Sequence, residues 1–231
     1  MDYNSKISTK YVSHFTSEFE NLKGIIENGF KSNENKELAI DESPTDSQKI
    51  FSKFYTQLTG ITENEYKNTF NSIPMVCFCD IPKKLIKQHL KEYGEYGIGL
   101  TKEWAIKCGI SPVIYLPQKS RLHSLLNSIN KLVKQLPQLK EQIDNLREYI
   151  KPYMNDKENK KYYDEREWRY VPPLQVFDTD NTETYLKFEK EDICFIVVKT
   201  SKEKKEIQKI LQAKFEDIKH IKFLFSKTFH C

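Results

Sequence analysis

Apolar and polar positions follow two periods along this chain, and together they predict a mixture of strands and helices. Seven apolar or alternating segments have strand length: residues 10–16, 74–80, 97–100, 112–116, 184–188, 192–199 and 221–225. Helical spacing appears after Ser17, and again at residues 83–93, 102–108 and 201–215. Strands scattered among helices favour a single α+β domain covering residues 1–231.

Capping residues predict where several of these helices begin and end. Ser17 with Glu20 forms a capping-box pattern, and Gly29 suits the end of that first helix. Ser201 is the predicted cap of the late basic helix, which joins two strands in the manner of a right-handed crossover. Residues 31–47 indicate a loop and residues 49–59 a weak helix.

A long leucine-rich segment, from Ser120 to Tyr153, interrupts this pattern. Its apolar residues follow helical spacing, break at Pro137 and then resume. The pattern predicts a kinked helix or a helical hairpin, inserted into the domain at about residues 119–160. Two roles are open: the stripe packs on its own domain, or it binds a partner protein.

Composition and cysteine usage narrow the class of protein. The net charge of +4 is too small to indicate nucleic-acid binding by itself, and aromatic residues at 13% can build a core. The five cysteines are an odd count, no apolar leader precedes Lys10, and no window has the apolar length of a membrane span. We therefore expect a cytoplasmic protein with free thiols and no membrane association. No second Cys or His pair accompanies Cys77 and Cys79, so no metal site is predicted.

Charged and aromatic residues are concentrated between Tyr162 and Pro173. Side chains alternate along a strand, so Glu165, Glu167 and Arg169 are expected to project from one face. Burying two carboxylates and a guanidinium without partners is costly. This face is therefore either solvated, with weak surface ion pairs, or part of a functional site.

Common catalytic motifs are absent from the sequence. It contains no phosphate-binding Gly-x-x-x-x-Gly-Lys loop, no Gly-x-Ser-x-Gly elbow and no His-Glu-x-x-His helix. Gly97 and Gly99 are followed by Lys102 where a dinucleotide fingerprint requires a small residue. A metal-dependent nuclease built on Asp80, Asp164 and Glu165 is a further hypothesis.

Several short motifs, in order, resemble the AbiGi family of abortive-infection proteins. They are Tyr-Val-Ser-His-Phe-Thr at residues 11–16, Ile-Ile-Glu-Asn-Gly-Phe at 25–30, Val-Cys-Phe-Cys-Asp-Ile-Pro at 76–82, the His89-x-x-x-Tyr93-Gly-x-Tyr96-Gly-Ile-Gly-Leu100 segment, Ser-Pro-Val-x-Tyr at 111–115 and Asp-Glu-Arg-Glu-Trp-Arg at 164–169. The resemblance implies a phage-defence protein that acts as an antitoxin, paired with a cognate toxin.

A more distant resemblance, to DarT-like ADP-ribosyltransferases, concerns mechanism. It rests on His14-x-Thr16 in the first strand, the helix ending in glycine, an apolar strand, and a late strand that carries Glu167. It implies an ADP-ribosyltransferase-like mixed or split sheet, with NAD as the substrate. The implied catalytic residues are Glu167, His14 and Glu165; the implied cofactor-binding residues are His14, Thr16, Tyr93, Tyr96, Arg166 and Arg169.

The resemblances give two functional hypotheses. In the first, an anti-phage protein binds NAD or a related nucleotide and transfers ADP-ribose to nucleic acid or protein. A fixed carboxylate would stabilise the positive charge that develops on the ribose, and an arginine would hold the pyrophosphate. In the second, the chain is a non-enzymatic antitoxin or regulator that binds its partner toxin through the helical insertion.

Overall fold

The computed structural model describes the chain in several stretches: residues 8–34, 49, 53, 56–57, 74–117, 119–133, 135–154, 160–172 and 185–229. The chain is mixed α+β, with mostly antiparallel strand pairing. It divides into two compact units, which we describe separately: unit 1 comprises residues 1–32, 76–111 and 173–231, and unit 2 comprises residues 33–75 and 112–172. The expectation of a single domain stays a prediction. The loop and weak helix expected at residues 31–59 lie largely outside the described residues.

Five strands form the sheet of unit 1: β1 (Tyr11–Thr16), β4 (Pro74–Cys79, whose first two residues belong to unit 2), β5 (Tyr96–Thr101), β11 (Ile193–Val198) and β12 (Lys222–Phe225). Their order in the sheet is β12, β11, β5, β1, β4. β1 and β11 both pair antiparallel with β5, whereas β11 and β12 are parallel. A separate antiparallel pair joins β2 (Phe30–Lys31) to β10 (Tyr185–Leu186).

Four helices accompany this sheet: α1 (Phe19–Asn28), α2 (Ile86–Tyr93, after a 3-10 turn at Lys83–Leu85), α3 (Lys102–Lys107) and α6 (Ser201–Lys214). Gly29 ends α1 as predicted, with a φ of 91° that favours glycine. Both predicted N-caps are wrong by one residue. Glu18 precedes α1 without a side-chain cap, and Thr200 caps α6 through a capping box with Glu203. Thr200 offers the same hydroxyl chemistry one residue earlier, so a Thr-Ser pair does not specify which residue caps.

Close approach to β5 explains its two glycines. A Cβ on Gly99 would lie 2.2 Å from the ring of Phe195, and one on Gly97 would lie 2.6 Å from the ring of Phe15. The sheet therefore accepts large aromatic residues on strands next to β5 because β5 contributes no side chain at these two positions.

Unit 2 contains short strands and the helical insertion. The remaining strands are β3 (Asn33–Glu34), β6 (Ser111–Pro112, which begins in unit 1), β7 (Ile114–Leu116), β8 (Ile150–Pro152) and β9 (Glu167–Tyr170). β7 and β8 pair in parallel, with Ile114 opposite Ile150. A 3-10 turn at Tyr162–Glu165 leads into β9.

The insertion is a helix, a turn and a second helix. α4 covers Arg121–Val133, a 3-10 turn at Pro137–Leu139 follows, and α5 covers Lys140–Arg147. The break at Pro137 confirms the prediction, but the helical stripe was extended too far. The second helix ends at Arg147, and Ile150 lies in β8, where it pairs with Ile114 of β7. Across the described residues, no helix is both long and apolar enough to cross a membrane.

Candidate functional site

Of the residues proposed to bind NAD, the structure places His14, Thr16, Tyr93 and Tyr96 in unit 1. His14 lies in an aromatic environment, with the rings of Phe30 and Phe78 at 5.2 and 5.8 Å. Its Nδ1 is 2.8 Å from the carbonyl oxygen of Cys77, which can only accept, so Nδ1 carries the hydrogen. Burial lowers the pKa of His14, although this hydrogen bond opposes the shift, and the ring is therefore a neutral donor.

Thr16 and the two tyrosines already have partners within unit 1. Thr16 Oγ1 accepts a hydrogen bond from Asn21, and Tyr93 packs its ring at 5.7 Å from that of His89. Tyr96 lies opposite Thr16 in the sheet and donates its hydroxyl hydrogen to Glu203 at 2.8 Å. Burial, followed by this contact with Glu203, raises the pKa of Tyr96. These contacts stabilise local structure, and the role of these residues in nucleotide binding stays a prediction.

The remaining proposed residues lie in unit 2, on β9 and the turn before it. Glu167 and Arg169 are both buried, at 6% and 0% exposure, and they share the inward face of the strand. Glu165 is also buried, but it belongs to the 3-10 turn. Between them, Arg166 adopts left-handed backbone, with φ of 47°. That backbone conformation separates Glu165 from the strand, so the regular alternation predicted from the sequence holds only for Glu167 and Arg169.

A lysine that the sequence reasoning missed completes this group. Lys151, in β8, is 1% exposed, and its Nζ lies 2.5 Å from Glu165 Oε2 and 2.9 Å from Glu167 Oε2. Arg169 Nε donates to Glu167 Oε1 at 2.6 Å, and Arg169 Nη1 donates to the carbonyl oxygen of Glu148 at 2.5 Å. We call Lys151, Glu165, Glu167 and Arg169 the buried ion cluster. The sequence feature that could have identified Lys151 is its position between Ile150 and Pro152, where a lysine interrupts an apolar run.

In the buried ion cluster two carboxylates contact two buried cations, and the partly exposed Lys160 adds a third cation, 3.3 Å from Glu165 Oε1. Burial alone would raise the pKa of Glu167, but the charges of Arg169 and Lys151 and their hydrogen bonds hold it far below its usual range. The Glu167 backbone N–H donates to the hydroxyl of Tyr115 at 2.8 Å. Glu167 is therefore an ionised group with both oxygens engaged, which suits holding the strand in place better than accepting a proton.

Two of the residues proposed for a nuclease, Asp80 and Glu165, form hydrogen bonds and ion pairs with other side chains. Asp80, in unit 1, accepts hydrogen bonds from Ser8, Thr9 and Lys102, and the Lys102 contact is 2.6 Å. Glu165 belongs to the buried ion cluster. In the part of the chain that the structure describes, no group of three His, Cys, Asp or Glu side chains is arranged to bind a metal ion.

The helical insertion presents a second candidate site, an apolar one. Six of its leucines are exposed, by 37–54%: Leu122, Leu125, Leu132, Leu136, Leu139 and Leu146. We call these six residues the leucine face. Leu126, in the same helix, is buried, at 8% exposure. The sequence left open whether the apolar stripe is covered, and the structure shows that much of it faces solvent.

Comparison with known proteins agrees with the family suggested by the sequence motifs. Residues 50–223 match the family described as "Putative abortive phage resistance protein AbiGi, antitoxin". A curated relative, the abortive phage resistance protein AbiGi of Lactococcus lactis subsp. cremoris, is 34% identical over 148 residues. That alignment covers 52% of this chain and 58% of the relative, so the chain spans little more than half of the relative's length. No solved structure matches significantly. With the matched region spanning most of the chain, including β9 and the helical insertion, this protein belongs to the AbiGi family.

Proposed function

We propose that this protein acts in phage defence as an antitoxin, and that it binds a cognate toxin protein through the leucine face. The observation that carries the proposal is the exposure of six leucines on one inserted segment. The family description supports the antitoxin role, because an antitoxin of this kind needs a surface for its partner. The sequence hypothesis of a partner-binding insertion is thus the one that the geometry favours.

The physical argument concerns the free energy of exposed apolar surface. Removing a leucine side chain from water contributes about 1.5–3 kcal/mol when burial is complete. Leu125 and Leu132, with exposures of 51% and 54%, keep much of that free energy available for binding. Single exposed leucines are ordinary, whereas a group on one segment is typical of an interaction surface. A helix pair of this kind is suited to a partner's groove or helix.

Replacing Leu125 and Leu132 with serine is expected to abolish protection by the antitoxin. Because both residues are exposed, the double variant should fold normally and lose only the apolar contacts with its partner. The measurement is growth of bacteria that carry the native locus with either the wild-type or the variant gene. The variant should arrest growth as soon as the toxin is expressed.

Ile106→Ser is the matched control, because Ile106 is 65% exposed but lies in α3 of unit 1. Cells with this control should grow as the wild type does. Circular dichroism melting should show the same transition for all three proteins. Normal growth with a correctly folded Leu125→Ser/Leu132→Ser variant would contradict the proposal that the leucine face binds the toxin.

Transfer of ADP-ribose from NAD is a second proposal, favoured by the ionised state of Glu167. The chemistry needs a carboxylate that stays negative beside a developing ribosyl cation, and the lowered pKa of Glu167 meets that need. The engagement of both Glu167 oxygens by Lys151 and Arg169 counts against it, since those cations offset the negative charge.

Incubation with labelled NAD and either nucleic acid or cell lysate tests the transferase proposal. If it is correct, label appears on an acceptor, and both Glu167→Gln and His14→Gln reduce the rate by at least about a hundredfold. Glu20→Gln, on the exposed surface of α1, is the control and should transfer label normally. Absence of label with the folded wild-type protein would eliminate the enzymatic hypothesis and leave the antitoxin hypothesis intact.

A further inference from the structure

Positive charge is concentrated in one part of unit 1, residues 199–227. This range holds nine lysines and four acidic residues, whereas the rest of the chain holds 28 basic and 29 acidic residues. The modest net charge of +4 therefore conceals a strong local excess, which lies on α6, β12 and the residues around them. A basic stripe along one element is the electrostatic footprint that an anionic partner requires.

Three of these lysines form a stripe on the outer side of α6. Ile207 and Leu211 are fully buried and attach the helix to unit 1. Residues three, four and seven apart share one side of a helix, so Lys202, Lys205 and Lys209 lie together, opposite the two buried residues. All three lysines are exposed. We call them the lysine face.

Both acidic residues of α6 are occupied elsewhere. Glu203 accepts hydrogen bonds from the hydroxyl of Tyr96 and from the backbone N–H group of Thr200, at 2.8 and 2.7 Å. Glu206 lies 3.0 Å from Nζ of Lys23, in α1. In the described part of the chain, no ion pair joins a carboxylate to the lysine face. Its three cations repel one another, and a bound anion would relieve that repulsion.

A row of neutral and basic side chains continues this surface towards β12. Lys204, Gln208 and Gln212 follow each other at intervals of four residues, beside the lysine face. Nζ of Lys204 lies 5.4 Å from the ring centroid of Phe223, in β12. Lysine and glutamine side chains both donate hydrogen bonds, and phosphate oxygens accept them. This side of α6 therefore offers donors and no carboxylate.

We propose that the lysine face binds the phosphate backbone of nucleic acid, without reading its sequence. Lysine is a point charge suited to phosphate. The stripe covers about 10 Å of helix axis, a length over which duplex DNA carries roughly six phosphate charges. The inference goes beyond the proposed function, because it assigns a second surface, in unit 1, to a second kind of partner.

Two other anionic partners fit the observations less well. An acidic protein would need apolar or aromatic anchors at the centre of its interface, and the lysine face has none. An anionic membrane would need the apolar side of the helix to enter the lipid, whereas Ile207 and Leu211 are fully buried in unit 1. A phosphate backbone needs only the cations and donors that α6 presents.

Binding of the full chain to a fluorescent DNA duplex of about 20 base pairs tests the inference, by anisotropy over a series of salt concentrations. We expect a dissociation constant of roughly 1–100 µM at physiological salt, as for sequence-independent binding. The logarithm of the affinity should fall linearly with the logarithm of the salt concentration. A duplex of unrelated sequence should bind equally well, because phosphates carry no sequence information.

Lys202→Gln/Lys205→Gln/Lys209→Gln is expected to weaken binding at low salt by at least about tenfold. Because each neutralised phosphate contributes about 0.9 to the salt slope, the slope should fall by about 2–3. Lys205→Gln alone should lower the slope by about one, which keeps the inference testable if the triple variant is unstable. Circular dichroism melting should show no loss of stability, since repulsion within the lysine face is removed.

The matched control removes the same number of charges outside α6. Lys10→Gln/Lys91→Gln/Lys107→Gln changes three exposed lysines of unit 1, and its affinity should stay within about twofold of the wild type. The Leu125→Ser/Leu132→Ser variant of unit 2 should also bind DNA as the wild type does. The DNA measurement can thus fail without affecting the growth test of the leucine face, and the reverse is equally true.

Three results would overturn the inference. Absence of DNA binding by the folded protein at low salt is the first. Equal losses in the lysine-face variant and its control would assign binding to net charge alone. Tighter binding of a polyglutamate peptide or of vesicles with anionic lipid than of the duplex, lost in the lysine-face variant, would identify an acidic protein or a membrane as the partner.

Discussion

Arg169→Met is expected to destabilise the protein by about 3–5 kcal/mol, the cost typical of leaving a buried charge without its partner. Arg169 is fully buried, and its guanidinium contacts both oxygens of Glu167 at 2.6 and 3.3 Å. Without it, the two carboxylates of the buried ion cluster would keep one buried cation, Lys151, and the partly exposed Lys160 beside Glu165. The hydrogen bond to the carbonyl oxygen of Glu148 would be lost as well. Chemical denaturation with urea measures the change.

The double variant Arg169→Met/Glu167→Leu is the informative comparison. It removes one charge of each sign and leaves the balanced pair of Lys151 and Glu165, at 2.5 Å. We therefore expect the double variant to be more stable than Arg169→Met alone. Lys23→Ala, which removes surface contacts to Glu20 and Glu206, is expected to leave the unfolding midpoint almost unchanged. A midpoint for Arg169→Met as close to the wild type as that of Lys23→Ala would contradict this account of the cluster.

Gly94→Ala is expected to destabilise the protein by about 2 kcal/mol or more. Gly94 ends α2 with a φ of 113°, a conformation that residues with a Cβ rarely adopt. A Cβ at this position would lie 2.3 Å from the backbone of Thr16 and Ser17, which cannot rotate away as a side chain can. Thermal melting followed by circular dichroism measures the loss.

Gly24→Ala is the matched control, because it makes the same glycine-to-alanine substitution at a position without close neighbours. Gly24 lies inside α1, and a Cβ there would meet nothing within 4 Å. Alanine favours helix over glycine, so this variant should gain about 0.5–1 kcal/mol. If both variants shifted the melting temperature in the same direction, the close contact of Gly94 with the end of β1 would not explain why glycine occupies this position.

Local patterning predicted most elements of unit 1. The apolar runs that became β1, β4 and β11 are short, bounded by turns and rich in β-formers, so neighbouring residues determine them. The end of α1 was predicted from Gly29, because a glycine at the end of a helix is also a local signal. The predicted cap of α6 was wrong by one residue because Thr200 and Ser201 carry the same hydroxyl group, whereas α1 begins after Glu18 without any side-chain cap. An ADP-ribosyltransferase-like arrangement of the sheet stays a prediction, since local patterns do not determine strand order.

The candidate sites were only partly predictable, because they depend on contacts between distant residues. The sequence identified Glu165, Glu167 and Arg169 as costly to bury, but not that Lys151 of β8 would neutralise them. It identified the leucine stripe, but exposure depends on which side of α4 packs, and that is a tertiary property. The stripe also continued to Ile150 in sequence, where the structure has a strand paired with β7.

The two features of unit 2 serve different purposes in this account. The buried ion cluster holds β9 and β8 together through balanced charges, and its residues are almost inaccessible to a partner. The six residues of the leucine face are each 37–54% exposed and therefore accessible to a partner. Substitutions in the cluster should therefore lower stability, whereas substitutions in the leucine face should lower binding without lowering stability.

Recovery of the complex from cells tests the central claim most directly. The tagged protein is purified from bacteria that carry the native locus, and the retained protein is identified by mass spectrometry as the product of a gene in that locus. The account predicts that the wild type and Ile106→Ser retain this toxin in equal amounts, whereas Leu125→Ser/Leu132→Ser retains none. Retention of the same toxin by the folded double variant would contradict the claim that the leucine face binds it.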